Sequence, residues 1–402
     1  AGGGPGGVTA ALCLAEAGIP STILEKSSFP RDKVCGDALS GKVVSVLHYG
    51  LPHLEEGLHA FPEKVGSWGI RFVAPSLEAL DVPFQSKKAR EKGVAPGYIA
   101  KRWEFDHWLM EQAQAHPLIT VKEGVKVEAV EVKADKVLVH TGQQQWEAKV
   151  IIGAEGAHSV VAKQLGGIRM EPAHHSAGIR AYYQGVTGFH PQNFIELHYL
   201  KELLPGYFWI FPLPNGWANV GLGMLSRDVS KERVNLKARL LEIVSTHPQL
   251  KERFSGAQLM GKIQGFGLPL GSKKRNLSGN RFVLVGDAAS LIDPFSGEGI
   301  GNAMLSGRIA AERIGVALSK GDFSADFFAS YDEAVYRKVW SELRLSHQMQ
   351  KLVNYPWLFN FVVKKVNRNE ALQSMFTMMF EDLDIRQELR KPSFYWKLFT
   401  GG

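Results

Sequence analysis

Cysteine is scarce in this sequence: the 402 residues contain two, Cys13 and Cys35. Two cysteines do not make a disulfide framework, so we expect a protein of a reducing compartment. The sequence also lacks paired cysteine and histidine residues at the spacing of a zinc site, and it therefore predicts no metal centre.

Long apolar runs and basic clusters are lacking as well. No run reaches the about 20 residues of a membrane-spanning helix, and no signal peptide is recognisable. The net charge of +7, from 47 basic and 40 acidic residues, is spread along the chain, and no RNA- or DNA-binding motif is present. We expect a cytoplasmic protein without a nucleic-acid partner, and contact with a membrane surface stays open because diffuse positive charge suits anionic lipids.

The composition is that of a soluble α/β protein. Hydrophobic residues make up 45% of the chain, and its 42 glycines indicate many tight turns. A length of 402 residues suits two domains and a helical appendage.

The sequence begins in a glycine-rich loop. Gly2, Gly4 and Gly7 form a G-x-G-x-x-G pattern, a helical pattern follows over 8–18, and an expected strand over 21–24 ends at Glu25. The spacing is typical of dinucleotide binding, because the glycines bring a helix N-terminus to the pyrophosphate and the acid binds ribose hydroxyls. Since such a loop normally follows a strand, we expect a few apolar residues upstream of Ala1 in the natural chain.

A second glycine-rich segment covers 281–302. Residues 281–285 predict a buried strand, Gly286 permits a turn, and Asp287 places a carboxylate at the strand's end. After Pro294, glycines at 297, 299 and 301 bring backbone amides near a ligand, at the start of a helix whose N-terminus attracts negative charge. Alone, the segment is equally compatible with an ordinary strand-loop-helix connection.

Two stretches between these motifs carry further candidates. In the polar loop 29–40, Arg31 is a candidate phosphate ligand and Lys33 adds positive potential beside Cys35, which is either functional or a small buried residue. Arg102 lies where a strand pattern passes into a helix. It is a candidate phosphate or ribose ligand, or else a solvated arginine at a helix start.

The middle of the chain predicts more strands. Residues 148–161 indicate a strand, a turn and a helix, with Glu155 as a carboxylate that holds the turn or reaches a cofactor. Residues 170–275 favour a mostly β segment whose most aromatic run, 207–212, contains Tyr207, Trp209 and Phe211. Such a strand either belongs to the core or lines an apolar substrate cavity with one face.

The end of the chain is helical in pattern and rich in large apolar side chains. Aromatic clusters occur at 327–328, 355–361, 375–380 and 394–399. Most are expected to pack on the body of the protein. The alternative is a bilayer surface, where aromatic rings beside lysines lie at headgroup depth.

Three of these motifs together resemble those of the aromatic-hydroxylase superfamily of flavoproteins. Gly2-x-Gly4-x-x-Gly7 with Glu25 is similar to its FAD fingerprint, 153–156 to its second motif, and Gly286-Asp287 with 294–301 to its third. Glu155 stands where the second motif usually has aspartate.

Within that superfamily the chain resembles the geranylgeranyl reductase family. The resemblance is carried by Lys33-Val34-Cys35-Gly36 and by Tyr207-x-Trp209-x-Phe211-Pro212, which are similar to the K-x-C-G and Y-x-W-x-F-P signatures. Asp37 stands where that family frequently has glycine.

The resemblance implies an α/β fold with a Rossmann-like FAD-binding domain of the glutathione-reductase type (the p-hydroxybenzoate hydroxylase, or PHBH, fold). An inserted, mostly antiparallel β domain would bind substrate, and a helical segment would end the chain. The expected boundaries are 1–65, 96–169 and 276–330 for the discontinuous FAD-binding domain, 66–95 and 170–275 for the β domain, and 331–402 for the helical region.

The resemblance also implies the site residues. Asp287 would bind the ribityl or pyrophosphate region, and the amides after Pro294 would stabilise negative charge on the flavin ring. Cys35 is the expected catalytic residue, which positions substrate or relays a proton, and Tyr207, Trp209 and Phe211 are the expected substrate-binding residues. The full set of expected cofactor ligands is Gly2, Gly4, Gly7, Glu25, Lys26, Arg31, Cys35, Gly36, Arg102, Val127, Gly286, Asp287, Pro294, Gly297, Gly299, Ile300 and Gly301.

The implied function is FAD-dependent reduction of carbon–carbon double bonds in an isoprenoid or other lipid-like substrate, by hydride transfer from reduced flavin. The electron donor, whether NAD(P)H, ferredoxin or another, stays open, as does the oligomeric state. Two alternatives remain: a flavin-dependent monooxygenase or halogenase of the same fold, and a non-catalytic electron-transfer or lipid-binding flavoprotein.

Overall fold

The computed structural model describes residues 1–84, 89, 91, 93–142, 144–370 and 372–374. Within them the expected α/β class is confirmed, because helices alternate with strands along most of the chain. The aromatic clusters at 375–380 and 394–399 lie outside the described residues.

The helices begin and end at recognisable signals. α1 and α11 have proline in the first turn, where an amide proton has no partner inside the helix, and α9 ends before Gly321, whose φ is 70°. The helices are α1 Pro5–Glu16, α2 Gly41–Gly50, α3 Pro52–Ala60, α4 Arg102–Ala115, α5 Val160–Gln164, α6 Ser226–Glu232, α7 Leu236–Thr246, α8 Lys251–Phe254, α9 Ile300–Lys320, α10 Ala325–Leu352 and α11 Pro356–Asn367.

The strands in the described ranges form five sheets. They are β1 Ser21–Leu24, β2 Ala38–Leu39, β3 Val65–Ser67, β4 Gly69–Val73, β5 Ala79–Pro83, β6 Gly97–Ile99, β7 Ile119–Lys122, β8 Val127–Val132, β9 Val137–Thr141, β10 Gln144–Ala148, β11 Ile151–Gly153, β12 His175–Gln184, β13 Ile195–His198, β14 Tyr207–Pro212, β15 Trp217–Leu225, β16 Gln258–Pro269, β17 Ser278–Gly279 and β18 Phe282–Leu284.

Two pairs of parallel strands flank the glycine-rich loop. β1 pairs with β7, and β11 pairs with β18. The Gly2 amide donates to the Leu24 carbonyl at 2.8 Å, at the end of β1, and the Ala154 amide, just after β11, donates to the Ala1 carbonyl at 2.8 Å. The loop therefore lies at the carboxyl ends of both pairs, which is where open α/β sheets bind ligands.

The helices that begin at the two glycine-rich motifs, α1 and α9, cross in close contact. A Cβ atom on Gly307 would lie 2.3 Å from the Gly6 carbonyl oxygen, and one on Gly6 would lie 3.0 Å from the Ala303 carbonyl oxygen. Only glycine permits this approach. The crossing brings the N-termini of both helices to one region of the molecule.

Two small antiparallel sheets, β10–β9–β8 and β2–β6–β3, lie beside these pairs. The sequence predicts one strand over 148–152, but the chain turns there, since β10 ends at Ala148 and β11 begins at Ile151. β10 was not predicted because its residues are mostly polar and exposed, without an apolar face.

The largest sheet has seven strands in the order β16–β12–β15–β14–β13–β4–β5. Its neighbours are antiparallel except for β13 and β4. Residues 69–83 thus join strands from 175–269, as the change of pattern near Gly66 indicates. The domain boundaries themselves stay a prediction.

The segment 170–275 is less purely β than expected. α6, α7 and α8 lie between β15 and β16. α7 begins where the Asn235 side chain accepts a hydrogen bond from the Ala238 amide at 3.1 Å, and it buries Leu240, Ile243 and Val244. That spacing has the period of a helix, so the signal was present in the sequence.

The strand β14 separates two environments. Phe208 and Ile210 are fully buried in a core shared with α7. Trp209 and Phe211 lie on the opposite face, in a cluster with Phe295 and residues of α11. Because side chains alternate across a strand, one face of this aromatic run is core and the other is free to line a cavity.

Gly221 is a position at which one methyl group disturbs this arrangement. It lies opposite Trp209 in the register of β14 and β15, and a Cβ there would lie 2.2 Å from the indole and 2.3 Å from the Ile179 carbonyl oxygen. We expect Gly221→Ala to lower the free energy of unfolding by about 1–3 kcal/mol. The measurement is the midpoint of chemical denaturation.

Gly223→Ala is the matched control, because it lies on the same strand and a Cβ there would be no closer than 3.8 Å to another group. Equal losses in the two variants would show that strand propensity, and not the indole contact, makes glycine necessary.

Candidate active site

One cavity of about 700 Å³ connects the start of α1, the cysteine loop (residues 33–37), the start of α9 and the aromatic strand β14. It brings together most of the residues that the sequence analysis singled out around the flavin and the substrate. Those in its lining are Cys35, Gly36, Arg102, Tyr207, Trp209, Phe211, Gly286, Asp287, Gly297, Gly299 and Ile300.

The remaining expected ligands are not part of that lining, and they are Gly2, Gly4, Gly7, Glu25, Lys26, Arg31, Val127, Pro294 and Gly301. Several of them surround the glycine loop at the start of α1. Val127 is buried in the core, whereas Lys26 is exposed beside Glu25.

Glu25 stabilises the glycine loop that precedes and begins α1. Its carboxylate accepts hydrogen bonds from the Gly3 amide at 2.7 Å and from the Ser27 amide at 2.9 Å. A Cβ on Gly7 would lie 2.1 Å from the Gly2 carbonyl oxygen, so the loop cannot relax around a larger residue. In this structure the predicted ribose ligand also shapes the loop.

Two arginines share one buried carboxylate near this loop. Arg102 binds Asp106 through Nε and Nη2 at 2.5 and 2.6 Å, and Arg31 reaches the same carboxylate at 3.0 Å. Burial opposes the charge of Arg102, but Asp106 and a hydrogen bond with Cys35 raise its pKa above the usual value. Two fixed guanidinium groups around one carboxylate suit a phosphate ligand. Asp106 was missed, although its spacing of four from Arg102 on α4 is a helical signal.

Asp287 is held by the cysteine loop. Lys33 Nζ donates to Asp287 Oδ2 at 2.9 Å. The ion pair joins the K-x-C-G signature of the reductase family to the third motif of the superfamily, so these two motifs lie side by side in the structure.

The loop before α9 has fewer free amides than expected. The Gly297 amide donates to the Asp293 carbonyl at 3.0 Å, and the Gly301 amide donates to Glu298 Oε1 at 2.6 Å. Across the described part of the chain, the amides of Gly299 and Ile300 have no hydrogen-bond partner. The predicted set of anion-stabilising donors is thereby narrowed to these two.

Two acids of that loop, the buried Asp293 and the half-buried Glu298, were not predicted to contribute to the site. Burial raises the pKa of Asp293, with a further contribution from Glu342. Burial also raises the pKa of Glu298, although Lys42 acts against it. Both carboxyls therefore hold a proton at a higher pH than exposed acids do.

The aromatic side chains of β14 support the loops as well as lining the cavity. The Tyr207 hydroxyl donates to the Ser296 carbonyl at 2.7 Å, and the Trp209 indole donates to Asn219 Oδ1 at 2.8 Å. A Cβ on Gly36 would lie 2.8 Å from the Phe211 ring. Each of the three rings thus contacts a residue that positions the site.

The two cysteines differ in environment. Cys35 is a free, half-buried thiol in the cavity lining, and its carbonyl accepts a hydrogen bond from Asn219 at 2.7 Å. Cys13 lies on α1, and burial raises its pKa to about 12. Of the two, Cys35 is the one placed to contact a ligand.

These residues fit FAD. α1 begins without a side-chain cap, and two amides at the start of α9 have no hydrogen-bond partner among the residues that the structure describes. The cavity runs between these two helix N-termini. In the described residues no group of three or more histidine, cysteine or acidic side chains is placed to hold a metal ion.

Comparison with known proteins agrees with this geometry. A family model described as an FAD binding domain matches residues 1–344. The chain belongs to this FAD-binding family. It is 31% identical over 340 residues to digeranylgeranylglycerophospholipid reductase of Thermoplasma volcanium, with 83% of this chain and 81% of that protein covered. It is 30% identical over 327 residues to menaquinone reductase of Mycobacterium tuberculosis, with 77% and 74% covered.

Solved structures confirm the PHBH-like fold. A geranylgeranyl bacteriochlorophyll reductase-like protein from Thermoplasma acidophilum has a TM-score of 0.80 at 24% identity, with 97% of each chain covered. The halogenase PltM, in complex with phloroglucinol and FAD, has a TM-score of 0.73 at 17% identity, with 96% of this chain and 83% of that chain covered. This FAD-binding protein is an FAD-dependent oxidoreductase of the geranylgeranyl reductase type, and the roles of its individual residues stay predictions.

We expect Asp287→Ala to lower FAD affinity about tenfold or more, because the variant loses the carboxylate that is predicted to bind the ribityl or pyrophosphate region. The measurement is the ratio of flavin absorbance to protein after gel filtration, followed by titration of the apoprotein with FAD.

Two variants sharpen this test. Lys33→Ala removes the ion pair and leaves the carboxylate, so it should retain more FAD; an equal loss would mean that Asp287 acts only through Lys33. Asp81→Ala breaks the Arg71–Asp81 ion pair in the large sheet and should retain FAD fully.

Proposed function

We propose that this flavoprotein reduces carbon–carbon double bonds in the isoprenoid chain of a lipid or quinone. The observation that carries the proposal is that the free amides of Gly299 and Ile300 and the aromatic face of β14 line one cavity. An apolar chain and a flavin ring would meet there, away from bulk water. The names of the relatives, reductases of a digeranylgeranyl phospholipid and of menaquinone, support this substrate class.

In this proposal a bound flavin supplies the hydride, and the residues of the chain do the rest. Arg31, Arg102 and the N-terminus of α1 would hold the pyrophosphate. The amides of Gly299 and Ile300 would stabilise negative charge on the ring. Trp209 and the neighbouring rings orient the alkene and exclude water.

Two groups in the cavity lining are suited to deliver the proton that completes saturation. Cys35 is a free thiol beside the aromatic wall of the cavity, which is formed by Tyr207, Trp209 and Phe211. Glu298 has a carboxyl group whose pKa is raised by burial. A general acid must keep its proton near the working pH, and burial favours this. We assign the contact with substrate to Cys35 and the supply of the proton to Glu298.

We expect Cys35→Ser to keep FAD but to lower kcat for alkene reduction about a hundredfold. The assay is anaerobic incubation of the holoenzyme with dithionite and either menaquinone or digeranylgeranylglycerophospholipid, with mass spectrometry of the extracted lipid. Cys13→Ser is the control and should retain full activity, because its thiol is held protonated on α1.

The outcomes separate the rival functions. Lipid that gains two hydrogen atoms per double bond without oxygen supports the proposal. Substrate oxidation or halogenation that requires oxygen supports the monooxygenase or halogenase alternative. Flavin reduction and reoxidation with no product from either lipid supports an electron carrier.

Peripheral contact with a membrane is part of the proposal, since the substrate is lipid-like. No helix in the described ranges is long and apolar enough to cross a membrane. At the start of α11, Tyr355 is 58% exposed and Trp357 is 69% exposed, and Lys364 follows on the same helix. The buried face of α11 packs through Phe359 onto Tyr199, whose ring stacks on Phe295 of the cavity lining. This helix therefore lies between the solvent and the proposed substrate site.

We expect Trp357→Ser to weaken binding to vesicles of phosphatidylcholine and phosphatidylglycerol about tenfold, because an exposed indole no longer enters the headgroup layer. Binding is measured by vesicle sedimentation and should also weaken with salt. Trp103→Ser, on α4, is the matched control; an equal effect there would argue against α11 as the contact.

A further inference from the structure

Asp37 is the centre of a buried polar network. It directly follows Cys35 and Gly36, which line the cavity. The Asp37 side chain itself is fully buried, and Asp37 is not one of the described residues that line the cavity. Its φ of 68° lies in the left-handed region, which asparagine and aspartate tolerate better than other side chains. Glycine would adopt the same backbone conformation without strain.

Asp37 is connected through Asn219 to two parts of the cavity lining, the cysteine loop and Trp209. Oδ2 accepts hydrogen bonds from the Tyr182 hydroxyl and from Asn219 Nδ2, both at 2.8 Å. Asn219 Nδ2 also donates to the Cys35 carbonyl at 2.7 Å, and Asn219 Oδ1 accepts from the Trp209 indole at 2.8 Å. One side-chain amide is therefore bound to the carboxyl group, to the main chain of the cysteine loop and to the aromatic wall.

We propose that Asp37 is a positioning residue that, through Asn219, fixes the main chain at Cys35 relative to the indole of Trp209. It does not touch the substrate. It keeps constant the distance between Cys35, the proposed catalytic residue, and the aromatic residues Tyr207, Trp209 and Phe211 of β14. The importance of that separation for catalysis rests on the proposed function, whereas the network itself does not.

The charged groups around Asp37 already have other partners. Arg180 donates to Asp32 at 2.6 Å and lies 4.0 Å from the centre of the Tyr182 ring. The guanidinium group of Arg102 is bound to Asp106, and only the backbone amide of Arg102 donates to Asp37, at 3.3 Å. The titratable and charged groups that face Asp37 from β12, from the start of α4 and from the preceding loop are Arg180, Tyr182, Lys101, Arg102 and Asp32.

Burial consequently outweighs these groups and raises the pKa of Asp37 to about 6, from a usual value of 3.8. When the hydrogen bonds of the network are formed, Asp37 binds a proton more tightly than it does when the loop 33–37 is detached and Asp37 is exposed to water. The hydrogen-bonded state is therefore most stable below the usual pKa of 3.8, and it loses stability as the pH rises through about 6. The role of Asp37 is thus that of a hydrogen-bond acceptor, and its negative charge works against the closed loop.

Hydrogen–deuterium exchange of the resting holoenzyme, followed by mass spectrometry of peptides covering 33–39, tests the proposal. After correction for intrinsic rates, wild-type protection should fall about tenfold between about pH 5 and about pH 7.5. Asp37→Asn keeps the acceptor, suits the backbone and carries no charge, so its protection should be high and independent of pH. Asp37→Gly removes the acceptor without strain and should lose about tenfold protection at both values.

Two more variants test the link to the wall. Trp209→Phe removes one N–H donor from β14 and leaves the loop sequence intact, so lower protection of 33–39 would demonstrate the connection through Asn219. Asp81→Asn, a carboxylate change in a distant ion pair, should behave as wild type. The proposal fails if Asp37→Asn behaves as Asp37→Gly does, if wild-type protection does not vary with pH, or if Trp209→Phe leaves 33–39 unchanged.

Turnover supplies the second readout. With equal FAD content, Asp37→Gly should lower kcat for alkene reduction about tenfold with a smaller change in KM, and Asp37→Asn should restore it. Exchange needs no substrate, so the network stands or falls even if neither lipid is reduced. A reductase whose kcat is the same in both Asp37 variants would overturn the positioning role and leave the proposed function intact.

Discussion

The hydrogen bond from the Tyr207 hydroxyl to the Ser296 carbonyl, 2.7 Å long, joins the rigid seven-stranded sheet to the loop that precedes α9. The same strand, β14, also contacts the cysteine loop through Phe211 and, by way of Asn219, through Trp209, so the two loops are positioned by one strand. Loops carry the ligands in most enzymes and are the most mobile part of a fold. Here three aromatic residues of β14 contact two such loops and fix the position of each loop relative to the same strand.

The parts of the molecule that could be predicted from sequence are those in which local chemistry and long-range role coincide. The glycine loop at Gly2 is one of them, since its spacing is required by the turn and by the ligand together. The strand β14 is another: its bounds follow from an apolar run that ends at Pro212. What the run could not disclose was which face is core, because that depends on α7 packing beneath one side.

The site residues that escaped prediction act through contacts distant in sequence. Asn219 is an ordinary strand residue until the fold brings Cys35, 184 positions away, within hydrogen-bond distance. Lys33 and Asp287 were both singled out, but 254 residues separate them, and no periodicity predicts their ion pair. The distribution of amides between Gly297 and Gly301 was equally hidden, since it is decided by which carbonyl or carboxylate the loop itself presents.

The crossing of α1 and α9 has a consequence for how such proteins diversify. Because a Cβ on Gly307 would overlap the Gly6 carbonyl oxygen, a larger residue at this crossing would push the two helices apart and increase the distance between their N-termini. Substitutions of Trp209 and Phe211 on β14, in contrast, would reshape the apolar side of the cavity and leave the spacing of the two helices unchanged.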